Sequence, residues 1–128
     1  SFVLKAPGTT IYIGGDSGYD HHFKTLGEKH GPFDLVILES GQYNKSWKYI
    51  HLMPQEVVQA AQDLKAKKLM AVHWGKFNLS THDWDEPIKQ VNGISKQKGM
   101  PLITPMIGEA VHLKDTARVF VNWWENVR

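Results

Sequence analysis

The run Leu35-Val36-Ile37-Leu38, set directly behind Asp34, restricts the possible folds of this chain more than any other feature. Side chains alternate sides along a strand, so four consecutive apolar residues put apolar surface on both faces of a sheet. Both faces must then be covered, because soluble monomers avoid large exposed apolar patches. Helices of this chain can cover one face. The other requires a second layer, either another chain or the apolar tail with Phe120, Trp123 and Trp124. Association is the expected consequence.

Around that run, short β-type segments alternate with helical ones, the pattern of an α/β layer. Ser1 to Lys5 reads as a strand, as does Thr10 to Ile13, which Gly14-Gly15 ends. Helical periodicity runs from Tyr19 to about His30, stopped by Gly31-Pro32. A polar and aromatic loop, Ser40 to Met53, precedes a helix opened by Pro54 at its favoured first position, with Val57, Val58, Ala61 and Leu64 as its apolar face. Leu69 to Val72 is the next strand and delivers His73-Trp74-Gly75. A turn around Ser80 to Asp83 leads to a helix over Asp85 to Gln97, and Pro101 to Leu113 reads as one or two short strands around Gly108. With no repeat, linker or low-complexity stretch, residues 1–128 form one domain or half of one. The opening Ser1, already in a strand and without methionine, reads as the start of a truncated or processed product.

Composition narrows the chemistry. Net charge is +2 with the lysines scattered, so a nucleic-acid footprint is not indicated. No apolar run reaches the ~18 residues that span a bilayer. Cysteine is absent, which removes disulfides and thiolate ligands and fits a reducing cytoplasm. Seven histidines make imidazole the chemical currency.

Asp16, in Gly14-Gly15-Asp16-Ser17-Gly18-Tyr19, projects beyond a strand end, where α/β folds place ligands; read alone, it equally serves as the cap of the helix from Tyr19. His73 also stands at the end of a buried strand, as a metal ligand or as a hydrogen-bonded core residue. His51, in the loop before Pro54, can donate to an oxyanion or phosphoryl oxygen, or is simply a loop histidine. His21-His22 face two directions from a first helical turn, one packed and one solvated, and His82 lies in a loop able to fold over a site. The glycine pattern has neither the lysine nor the spacing of a P-loop, and Ser17 does not sit in Gly-x-Ser-x-Gly.

In order, Ile13-Gly14-Gly15-Asp16-Ser17-Gly18-Tyr19, Gly31-Pro32-Phe33-Asp34-Leu35, Gly41-Gln42-Tyr43-Asn44, His51-Leu52-Met53-Pro54-Gln55-Glu56 and Ala71-Val72-His73-Trp74-Gly75-Lys76-Phe77 form a linked series. The series resembles the C-terminal half of metallo-β-lactamase-fold hydrolases similar to N-acyl-phosphatidylethanolamine phospholipase D and the L-ascorbate-6-phosphate lactonase group. The resemblance runs from about Ile11 to Pro87. It implies half of a four-layer αββα sandwich, one mixed sheet with helices on one face, and a dinuclear site of two divalent ions, zinc first and manganese second.

By resemblance, Asp16 matches the aspartate that bridges the metals and takes part in catalysis, and His73 the late histidine of the second metal. His51 matches a catalytic, substrate-facing histidine. His82 falls near another, offset by about a residue, and Tyr19 joins these two as a substrate-binding candidate. Glu39-Ser40 stands where many relatives have proline and an apolar residue, which leaves substrate preference open. The family's His-x-His-x-Asp-His motif does not occur in the chain. Two metals about 3.5–4 Å apart need about three protein ligands each, so Asp16 and His73 alone bind metal weakly. The resemblance thus implies a phosphodiesterase or a lactonase/esterase, inactive as this fragment. Its partners are a small phosphodiester, ester or lactone substrate and a missing N-terminal half or a second copy. The alternative is a non-catalytic half-fold that dimerises or binds a partner through its apolar sheet face.

Overall fold

The computed structural model describes residues 1–127. Strands β1 (Phe2–Ala6), β2 (Thr9–Ile13), β3 (Leu35–Glu39) and β4 (Leu69–Val72) form one sheet in sequence order. β1 is antiparallel to β2, while β2, β3 and β4 run parallel, which makes the sheet mixed. Helices α1 (His22–His30), α2 (Pro54–Asp63) and α3 (Glu86–Lys98) complete the α/β layer.

The register divides the sheet into two unlike faces. Val3, Tyr12, Val36, Leu38, Leu69 and Ala71 pack with Phe23 of α1, Val57, Val58, Ala60 and Ala61 of α2 and Ile88 and Val91 of α3 in one core. On the opposite face Phe2, Leu4 and Ile13 are 75%, 53% and 37% exposed. Helices therefore cover one face, as the apolar run required. The tail does not cover the other. Trp124 is buried in the helix-side core, where Trp74 and Trp123 pack against it with their rings stacked at 5.2 Å. The tail thus adds its aromatic rings to the one that Trp74 presents on the helix side.

Two local expectations change. α1 starts at His22 rather than Tyr19, because the preceding segment is held by tertiary contacts: Gly18 N–H donates to Tyr49 O and Tyr19 Oη to Asp63 of α2. Its capping position is His21, not Asp16. Residues 101–113 form no strand beyond a single bridge from Leu102 to Leu69. Pro101 and Pro105 lack the N–H a ladder needs, and Gly108 turns at φ +86°. α3 matches its expected span to within a residue.

Candidate metal centre

β2, β3 and β4 are parallel, so their C-terminal ends lie along one sheet edge, and the segments that follow them supply the site. Asp16 follows β2 and His73 follows β4. His51 lies between β3 and α2, in a segment folded by hydrogen bonds from the Ile50 and His51 N–H groups to Trp47 O.

Two glycines bring these segments together. A Cβ on Gly41, just past β3, would lie 1.5 Å from His73 O, so the chain leaving β4 crosses where a side chain would be. A Cβ on Gly18 would lie 2.4 Å from Lys48 O, and that bare backbone lets the Asp16 loop reach the His51 segment. His73 itself has φ +67°, a conformation L residues adopt at a cost of about 1–2 kcal/mol. The fold sustains this strain at the residue expected to bind metal.

Asp16, His51 and His73 each offer one ligand atom within 4.8 Å of the others. His73 Nε2 lies 3.7 Å from Asp16 Oδ1, and the two histidine rings are 5.8 Å apart. The donor chemistry fits a divalent cation: one carboxylate and two imidazoles are the ligand types of open zinc and related sites. The set suffices for one ion and falls short of two.

Beneath this cluster lies a residue that stands out in the sequence only as a departure from the family pattern. Glu39 ends β3 and is 2% exposed. Its Oε1 accepts the Leu52 N–H at 2.6 Å, and its Oε2 lies 3.4 Å from His51 Nδ1. Burial pushes the Glu39 carboxyl up to about 7; the Leu52 N–H opposes this, Asp16 reinforces it and the Gly41 N–H opposes it in turn. His51 is held below the usual histidine range by burial, with Asp16 raising it and His73 lowering it. A glutamate ending an otherwise apolar strand was the available signal.

His82 and Tyr19 are not brought into this cluster. His82 stacks on Tyr43 with ring centres 4.3 Å apart and lines a cavity of about 410 Å³ with Asn44, Lys45, Met53 and Glu86. Its loop is organised by Gln42, which in the sequence stands out only as part of the Gly41-Gln42-Tyr43-Asn44 segment. The buried Gln42 amide bonds Phe77 O and the Leu79 and Ser80 N–H groups. Tyr19 lines a separate cavity of about 450 Å³ with Gly18, Asp20, His22 and Tyr49. Its hydroxyl donates to Asp63 at 2.6 Å, which raises its pKa to about 12. His21 is solvated, whereas His22 packs on Phe23.

Residues 1–74 match the model of the β-lactamase superfamily domain. The outer membrane protein RomA of Klebsiella pneumoniae is 51% identical over 101 residues, covering 73% of this chain and 76% of RomA. An uncharacterised protein of Mycobacterium tuberculosis is 35% identical over 127 residues, covering 97% of this chain and 34% of that protein. The mitochondrial N-acyl-phosphatidylethanolamine-hydrolyzing phospholipase D of Saccharomyces cerevisiae is 36% identical over 104 residues, 77% of this chain and 22% of the enzyme. Among solved structures, the metallo-β-lactamase-fold protein YhfI of Bacillus subtilis superposes with a TM-score of 0.58 at 17% identity, over 78% of this chain and 38% of YhfI. The chain thus spans about a third of the length of the mycobacterial relative.

Proposed function

The chain belongs to the β-lactamase superfamily, within its metallo-β-lactamase-fold hydrolases, and on that premise we propose that it supplies part of a dinuclear metal site in a larger hydrolase. One observation carries the reading: Asp16, His51 and His73, far apart in sequence, converge at the C-terminal edge of the sheet. Family membership implies use of divalent metal. Zinc suits the donor set best, with manganese second.

In this reading Asp16 and His73 hold metal and Asp16 orients the attacking water. Divalent cations bound there acidify water and polarise the oxygen of the bond under attack. His51 stabilises developing charge or protonates the leaving group. His82 and Tyr19, in the flanking cavities, contact the more distant parts of the substrate. The substrate is a small phosphodiester, supported by the name of the yeast relative, with a lactone or other ester second. The remaining ligands come from an N-terminal half of the sandwich, whose sheet covers Phe2, Leu4 and Ile13. By ligand number, this chain is inactive without it. The absence of cysteine supports a cytoplasmic setting, and among the described residues no helix is long and apolar enough to cross a membrane.

That exposed face also favours a second reading, a non-catalytic module that pairs with another copy through it. One experiment separates the two. The complete protein should hydrolyse bis-p-nitrophenyl phosphate or a model lactone with added zinc or manganese. Activity should vanish with chelator and in Asp16→Ala, with thermal unfolding of the metal-free protein unchanged. Metal-independent behaviour throughout, with a stable homodimer, overturns the hydrolase reading.

A further inference from the structure

We propose that Glu39 is the positioning residue for His51: its buried carboxylate holds the imidazole with Nδ1–H turned inward, so that Nε2 is the nitrogen offered to the space shared with Asp16 and His73. The consequence for turnover rests on the hydrolase reading above; the geometry does not.

Glu39 is held at one oxygen and faces His51 with the other. Oε1 accepts the Leu52 N–H, which ties the carboxylate to the residue next to His51. Oε2 faces His51 Nδ1 at 3.4 Å, and both of these buried atoms are without a hydrogen-bond partner among the described residues. An unpaired buried donor and acceptor are each costly, and here each is the available remedy for the other. In its ionised form the Glu39 carboxylate only accepts, and in that form the proton in this contact belongs on Nδ1 and the lone pair on Nε2. A carboxylate behind an imidazole fixes its tautomer and ring orientation and strengthens it as a ligand or base. In either role the ring needs no reorientation, because Glu39 sits on a strand end and its rotamer is set by the Leu52 bond.

Two substitutions separate this role from simple packing. Glu39→Gln keeps the shape and can keep the acceptor for Leu52, but it turns an amide donor toward Nδ1. Long-range proton–nitrogen NMR on the complete protein with isotope-labelled histidine, at an alkaline pH where Glu39 is ionised, should show His51 protonated at Nδ1 in the wild type and at Nε2 in Glu39→Gln. Turnover with zinc should fall about 10- to 100-fold in kcat with KM little changed, the usual range for a group behind a reacting histidine. Glu39→Asp should recover the wild-type tautomer and part of the rate. A wild-type ring protonated at Nε2, or one tautomer unchanged in Glu39→Gln, overturns the proposal even where turnover is intact. The tautomer switch without metal-dependent turnover would leave it standing and remove the hydrolase reading. Should Glu39→Gln fail to fold, the wild-type spectrum still decides.

Discussion

The two ends of the parallel strands treat charge in opposite ways. At the N-terminal end, Asp34 is fully matched: Oδ2 accepts the Thr10 N–H at 2.7 Å and Oδ1 takes Lys67 Nζ at 2.8 Å. These partners hold its carboxyl below the usual range, Lys67 first and Thr10 second. At the C-terminal end, Asp16 and His73 stand 3.7 Å apart, too far for a good hydrogen bond, and the buried Glu39 is pushed up rather than down. One end spends its charge on holding the strands together. The other leaves charge unmatched around a space that a cation can fill. Satisfied polar groups mark structure, and an unsatisfied convergence marks a site.

The largest expected effect probes how the open end is assembled. Gly41→Ala drives a Cβ into the His73 carbonyl, which neither backbone can yield cheaply. Urea unfolding should show a loss of about 3 kcal/mol or more. A loss under about 1 kcal/mol would mean that the β3 and β4 ends are not pressed together as described.

A smaller effect tests the matched end. Asp34 has a lowered folded pKa, so its contribution is complete above the ordinary carboxylate value of about 3.9 and fades as pH falls through the folded value. Asp34→Asn should cost about 1 kcal/mol at neutral pH, and the gap from wild type should close toward pH 3. A gap independent of pH would show that the carboxylate charge is not what staples these strands.

The smallest effect has the opposite sign. In the metal-free protein, His73→Gly removes left-handed strain at φ +67° and should raise stability by about 0.5 kcal/mol, strain relief being partly offset by glycine's entropy. Metal binding should weaken at the same time, measurable by chelator competition. A destabilised variant would show that the His73 side chain supports the fold and not the site.

The elements were legible where their signals are local. Gly14-Gly15 closing β2, Pro54 opening α2 and the apolar run of β3 each act on a few neighbouring residues. Asp16 and His73 could be singled out for the same reason, each standing just past a strand. α1 starts later than its local periodicity implies because Tyr19 is held by Asp63, a partner 44 residues away. The strands expected in residues 101–113 failed because β propensity cannot supply the N–H groups that two prolines lack.

By itself, the sequence determined the alternation of strands and helices, the doubly apolar sheet and the candidates at the strand ends, since side-chain periodicity and backbone stops are properties of adjacent residues. The tertiary structure alone decided which candidates meet. It placed Asp16, His51 and His73 within reach of one cation, sent His82 and Tyr19 to flanking cavities and set Glu39 behind His51. Those outcomes depend on strand register and on two bare glycine backbones that let distant segments cross. Contacts of that kind join residues whose order in the chain carries no mark of their meeting.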